Sequence, residues 1–417
     1  MIDPAQALDG MFDVRIRDGR IDEIGKALQA QADEEVINAS HCCVAPGFID
    51  MHVHLREPGF PEKETIETGT AAALAGGFTA VACMPNTVPA IDSVQTLGFV
   101  SQLANKARRA RVYPVAAITR GREGSELLDY AALAAAGAVA FSDDGNTVMN
   151  AKVLRDAALQ ARTVPGCFIS HCEDEHIKGD AVMHLGVTSA RLGVAGSPAV
   201  AEDVIVSRDL QIAADTGKAW HIAHLSTRGG VALMEWARER GLRATCEVAP
   251  HHLFFVDESV AELGARAKVN PPLRTAEDAA VLRQAVREGK IDVFATDHAP
   301  HTQAQKNGDL RVAAVGFTGL EVAVGAYALA VPDLPLMRFV ELLSTNPARI
   351  LGVPGGTLKA GEPADVTIFA QRTWTVDSSS FYSKGKATPF DGMTLPRRAI
   401  ATIVGGELLM HEGRVLR

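Results

Sequence analysis

Short apolar runs and longer alanine-rich amphipathic stretches alternate along most of this chain, and that alternation leaves few folds open. Eight runs read as strands: 47–54 (GFIDMHVH), 78–84, 112–118, 138–142, 167–171 (CFISH), 219–225 (AWHIAHL), 244–249 and 291–297 (IDVFATD). Between them, 64–76, 95–109, 127–136, 150–162, 200–216, 228–240, 276–289 and 319–331 carry apolar residues at helical spacing and end near glycine or proline. Eight strands alternating with helices predict a parallel sheet closed as a (β/α)8 TIM barrel, an α/β fold. Strand counting alone leaves a doubly wound open sheet as the alternative.

The two ends read differently. Residues 11–45 hold an alternating strand, a turn at Asp18–Gly19 and a second strand, and 364–417 hold further short strands with turn signals. These predict a small β domain built from both termini, with parts 1–45 and 351–417 flanking a barrel over 46–350. The chain reaches Ile2-Asp3-Pro4 at once, so this sheet is expected to be one strand short or the start site placed late.

The 417 residues suit one barrel with a small companion. A net charge of −9 argues against a nucleic-acid surface, though a local positive cluster can still hold a small anion. No apolar run approaches the roughly 18–20 residues of a membrane span. The start MIDPAQALDG lacks a basic, then apolar, secretory leader, and the six cysteines form no CxxC pair. The expectation is a cytoplasmic protein with reduced thiols.

The sharpest local signal is His52-Val53-His54 at the end of the first strand candidate. Alternation points both imidazoles to one face, within reach of one ion. Two side-by-side core histidines without partners would be costly, which favours the metal reading. Asp143 and Asp144 follow the fourth strand, His171 ends the fifth, His224 ends the sixth and Asp297 ends the eighth. Any one alone is better read as a satisfied core histidine or a helix cap. In register around one barrel rim they suit Zn²⁺, with Mn²⁺ or Co²⁺ also accommodated. The polar segment 298–314 directly follows the last barrel strand, where a substrate-covering loop is expected.

Longer strings resemble one family: PGFIDMHVHLREPG (46–59), ACMPNT (82–87), AFSDDG (140–145), KVNPPLR (268–274), ATDHAPH (295–301) and SKGKATPFDG (383–392). Together they are similar to the bacterial dihydroorotases that carry the HLREPG string, within the amidohydrolase superfamily. The resemblance implies zinc-dependent, reversible cyclisation of N-carbamoyl-L-aspartate to L-dihydroorotate in pyrimidine biosynthesis, with one or two ions per chain. It implies that His52, His54 and Asp297 hold one metal and His171 and His224 the other. Relatives in hydantoinase and allantoinase bridge their metals with a carboxylated lysine. The fourth strand end here offers no lysine, so an aspartate bridges: Asp144 by alignment of the string, with Asp143 as the alternative. Substrate contacts fall to Arg56, Asn86, Asn270 and His301, and to the backbone of Val315 and Gly316. Here the stretch 313–319 reads AAVGFTG where relatives carry proline and phenylalanine before the glycine. Asp297 is the implied proton carrier.

His251 and His252 read as structural or supporting residues, and Cys172, with no evident base, as a bland core thiol. Two rivals remain at this point. One is another cyclic amidase, such as hydantoinase, allantoinase or dihydropyrimidinase, which Arg56 and the missing lysine oppose. The other is a non-catalytic scaffold for aspartate transcarbamoylase, although this chain keeps every candidate ligand. The expected partners are the small anionic substrate, with room for a homodimer and a complex with aspartate transcarbamoylase, and neither nucleic acid nor membrane.

Overall fold

A computed structural model describes residues 1–32 and 34–416. Eight parallel strands form one sheet in chain order: β1 (Phe48–Val53), β2 (Phe78–Cys83), β3 (Arg111–Ala116), β4 (Ala140–Ser142), β5 (Phe168–Ser170), β6 (Trp220–Ile222), β7 (Ala244–Val248) and β8 (Val293–Phe294). The first and last strands meet just past their ends. Val53 bridges His298 in parallel, and His54 N donates to His298 O at 2.8 Å. That contact closes the barrel and excludes the open sheet.

The principal helices are α1 (Ile66–Gly76), α2 (Val94–Ala107), α3 (Tyr130–Ala135), α4 (Ala151–Gln160), α5 (Val200–Thr216), α6 (Arg228–Glu239), α7 (Ala276–Arg287) and α8 (Ala323–Ala330). Their starts are written locally. Thr65, Ser93, Asp129, Asn150, Thr227 and Thr275 each place a side-chain oxygen on a first-turn N–H. Most strands then split their apolar residues between two cores. Ile49, Met51, Ala80, Ala82, Val115, Ile169, Val293 and Ala295 fill the barrel interior. Phe48, Phe78, Phe141, Phe168, Trp220 and Phe294 pack in the larger core with buried residues of the surrounding helices. Short helices at Pro250–Phe254, Ser259–Leu263 and Leu336–Val340 carry no such period and escape sequence reading.

The small β domain is a five-stranded antiparallel sheet in the order Arg414–Val415, Glu407–His411, Arg398–Val404, Val366–Ala370, Cys43–Pro46. Val366 pairs with Pro46, so the two termini share one sheet. The hairpin Asp13–Arg17/Arg20–Gly25 turns at Asp18–Gly19 and docks through Ile21 N on Glu362 O at 3.0 Å. Ahead of it, Ile2–Asp3 pairs with Leu8–Asp9 as a two-residue strand. No helix among the described residues is long and apolar enough to cross a membrane.

Candidate metal centre

The strand ends bring the histidines and two aspartates into one buried cage. Ring and carboxylate atoms of His52, His54 and Asp297 lie within 4.8 Å of one another, and so do those of His52, Asp144 and His224. The β1–β2 register shifts between Asp50 and Val53, just where the two histidines turn inward. Asp144 is the hub: its oxygens stand 3.3 Å from His52 Nε2, 3.6 Å from His54 Nε2, 3.6 Å from His171 Nδ1 and 3.7 Å from His224 Nε2. Asp297 Oδ1 lies 3.2 Å from His54 Nε2 and 3.7 Å from His52 Nε2. Asp143 points elsewhere. It accepts from Ile118 N at 2.8 Å, Thr119 N at 3.0 Å and the Thr119 hydroxyl, which makes it a tie between loops.

Whether the cage fits a cation can be tested on its unused atoms. His52 Nε2 and Asp144 Oδ1 are buried without a hydrogen-bond partner. Three imidazoles spend their other nitrogen on an outer acceptor. His52 Nδ1 meets Glu247 at 2.6 Å, His54 Nδ1 meets Asn86 Oδ1 at 2.9 Å, and His171 Nε2 meets Glu173 at 3.0 Å. This arrangement orients imidazoles towards a divalent ion. The charges agree. Burial opposes a charged His52, yet Asp144 and Glu247 outweigh it and raise its pKa well above the ordinary value. His171 is carried to about 9 against burial by Asp144 and Glu173. Asp297 is held at about 2, because the His54 hydrogen bond and the His52 charge overcome burial. His54 goes the other way, lowered by burial, while Asp144 and Asp297 are both held ionised, so the centre carries anionic oxygens that suit a cation.

Sequence reading missed the outer supports. Glu247 also accepts from His221 Nε2 at 3.1 Å and His224 N at 3.1 Å. Glu173 takes Lys178 Nζ at 2.6 Å. The available signals were an acid inside the apolar run of β7 and a glutamate two residues past His171.

Of the expected substrate residues, Arg56 and His301 touch each other, Asn86 reaches His54, and Asn270 makes no hydrogen bond to any of them among the described residues. Arg56 is 8% exposed, donates to Pro300 O at 3.2 Å, touches His301 Nε2 at 3.2 Å and has no carboxylate partner among the described residues. His301 Nε2 also meets Val315 O at 2.7 Å, and burial, then the nearby Arg56 charge, lowers its pKa to about 3. Asn270 lies beside Lys178, its amide oxygen accepting from Nζ at 2.5 Å. Gly316 N is already committed to Lys268 O at 3.0 Å, so that N–H points into the protein. His252 Nε2 meets Pro271 O at 2.9 Å, while His252 Nδ1 and both His251 ring nitrogens are buried without a partner among the described residues. Cys172 is buried, its thiol pushed well above the usual range by burial.

The segment 298–314 is less loop-like than its composition implies. It holds a short helix, Gln303–Lys306, and Lys306 is only 2% exposed. Lys306 Nζ donates to Lys268 O at 3.1 Å and Ala314 O at 2.9 Å, while Lys268 Nζ returns to Leu310 O at 2.7 Å. The two lysines pin the segment down. Lys306→Ala is therefore expected to raise protease cleavage within 302–314 by about tenfold, the order of one lost hydrogen bond to a charged group. If the segment also covers substrate, a bound ring carboxylate slows cleavage further. Equal rates with and without that ligand would remove the lid reading.

The Dihydro-orotase-like family model matches residues 42–230. The dihydroorotase of Pelotomaculum thermopropionicum is 47% identical, covering 100% of this chain and 98% of its own. That of Syntrophus aciditrophicus is 42% identical over 99% of this chain and 98% of its own. Among solved structures, the L-hydantoinase (dihydropyrimidinase) from Arthrobacter aurescens matches with TM-score 0.86 at 24% identity, over 97% of this chain and 94% of its own. The D-hydantoinase (dihydropyrimidinase) from Thermus sp. matches with TM-score 0.81 at 24% identity, over 97% and 93%. At that identity the likeness to hydantoinases speaks for the fold alone.

Proposed function

This chain belongs to the dihydroorotase family, and from that premise we propose how its residues carry out the reversible cyclisation of N-carbamoyl-L-aspartate to L-dihydroorotate. The activity is that of a metal-dependent cyclic amidohydrolase. One observation supports the residue assignment: two buried groups that share His52, one with His54 and Asp297 and one with Asp144 and His224, each with its ligand atoms within 4.8 Å of one another. His52, His54 and Asp297 would hold one ion, His171 and His224 a second, with Asp144 between them. Zinc is the ion we assign, from the nitrogen and oxygen donor set. When bound, a divalent ion supplies Lewis acidity at the amide carbonyl and lowers the pKa of a water from 15.7 to about 7.

The remaining work falls to the chain. In ring opening, Asp297 receives the proton of the attacking water and passes it to the leaving ring nitrogen. Its low pKa means it begins ionised and ready to accept. In ring closure the same carboxylate takes the proton from the ureido nitrogen and delivers it to the departing oxygen. Arg56, Asn86, Asn270 and His301 hold and orient the substrate carboxylate, and the closed 298–314 segment keeps water out. The partner is then a small anion; a cytoplasmic setting, a homodimer and docking to aspartate transcarbamoylase remain part of this proposal.

Turnover of dihydroorotate and of hydantoin by the same purified, metal-analysed protein tests the reading. Activity on dihydroorotate with little on hydantoin is expected, and the reverse preference would sink it. Arg56→Lys should raise KM for dihydroorotate by about tenfold at unchanged metal content, because lysine keeps the charge but loses the paired grip on a carboxylate. An unchanged KM would return Arg56 to a merely structural role.

A further inference from the structure

We propose that Arg122 is a further substrate-positioning residue, which together with Asn86 grips the carboxylate that does not react. The inference rests on the substrate assignment above. Arg122 ends the turn Arg120–Arg122 that follows β3, and its carbonyl accepts from Asn146 Nδ2 at 3.0 Å. Its Nε is buried without a partner. Among the described residues its guanidinium makes no hydrogen bond and no ion pair. The acids nearest it in charge are Asp143 and Asp144. Both are committed, Asp143 to Ile118 and Thr119, Asp144 to the imidazole cage. Arg122 is thus a half-buried cation, its Nε occluded, with no anion of its own among the described residues.

The place it faces is defined by Gly145, directly after Asp144. A side-chain carbon built there would stand 3.3 Å from Arg122 Nη2 and 3.5 Å from Asn86 Nδ2, so both donors converge on one small space beside the cage. Asn86 spends its oxygen on His54 Nδ1 at 2.9 Å, which leaves its NH₂ facing that space without an acceptor. A guanidinium and an amide NH₂ directed at the same point suit a planar carboxylate. Arg56, also without a carboxylate partner among the described residues, lies close enough to feel the Arg122 charge. Carbamoyl-aspartate brings two carboxylates. One must react at the metal cage, and the other can satisfy this pair of unpaired arginines. The consequence is specificity: a ring without a carboxylate leaves both guanidiniums without an anion.

Metal-loaded Arg122→Ala and Arg122→Lys proteins, compared with the unmodified chain, test this by steady-state kinetics in both directions. Arg122→Ala should raise KM for carbamoyl-aspartate and dihydroorotate by at least about tenfold, the loss expected for one hydrogen bond to a charged group. Its kcat, metal content and melting temperature should stay close to those of the unmodified protein, and Arg122→Lys should recover part of the KM. A structural role would instead lower metal content or melting temperature. An unmodified protein active on dihydroorotate, together with an unchanged KM in Arg122→Ala, overturns this inference alone. An unmodified protein that ignores dihydroorotate overturns the substrate assignment and this inference with it.

Discussion

Chelating the metal is expected to cut turnover of dihydroorotate by at least about a thousandfold, with Zn²⁺ restoring it. The figure follows from losing several kcal/mol of transition-state charge stabilisation, at about 1.4 kcal/mol per tenfold in rate. His52→Ala should match chelation, because His52 belongs to both groups of converging donors. The fold should largely survive. The eight-stranded sheet closes by backbone contact between Val53 and His298, and its interior is filled by Ile49, Met51, Ala80, Ala82 and their neighbours. The variant has one local consequence. Without His52, Glu247 keeps only His221 as a ring partner, so its buried charge is less compensated. The expected signature is therefore near-zero activity and metal content, with a native circular-dichroism spectrum and a modestly lower melting temperature. Full activity in metal-free protein would falsify the central reading.

Asp297→Asn should lower kcat/KM by about a thousandfold, within the usual range for a lost general acid–base group, and it should do so equally in both directions. The equality is a matter of thermodynamics: a variant cannot move the equilibrium between carbamoyl-aspartate and dihydroorotate. That equilibrium itself depends on pH. Carbamoyl-aspartate carries two carboxylates near neutrality and dihydroorotate one, so closure consumes a proton and is favoured as pH falls. Opening rates should rise with pH and closure rates fall. The sign of Asp297's part is also determined. The His54 hydrogen bond and the His52 charge, overcoming burial, hold its pKa at about 2, so between pH 5 and 9 it is ionised and does not itself titrate. The opposing profiles then come from groups other than Asp297, and Asp297→Asn should depress both without changing their shape. Two profiles rising together, or near-normal rates in the variant, would mean that another group carries the proton.

Much of this protein was legible in its sequence because the informative signals are local. Helix period, strand alternation and side-chain caps act within a few residues, so the eight strand candidates and the principal helices coincide with observed elements to within a few positions. The donors could be placed on one rim because a barrel presents its strand ends on one face, and His52, His171, His224 and Asp297 all sit at such ends. The antiparallel hairpin turning at Asp18–Gly19 follows from the same short-range logic.

What the tertiary structure alone decided are contacts between residues far apart in the chain. Asp143 and Asp144 are neighbours with the same chemistry. Only the fold turns one to Ile118 and Thr119 and the other to four imidazoles, because successive side chains leave a strand end in different directions. Glu247 reaches His52 across 195 residues, and no local pattern encodes that pairing. The segment 298–314 reads as polar and solvated, yet the fold buries Lys306 against two carbonyls. In the sequence, nothing sets Arg122 apart from other charged turn residues. Its significance depends on what it lacks, an acid within reach, and a missing partner becomes visible only once every neighbour has taken its place.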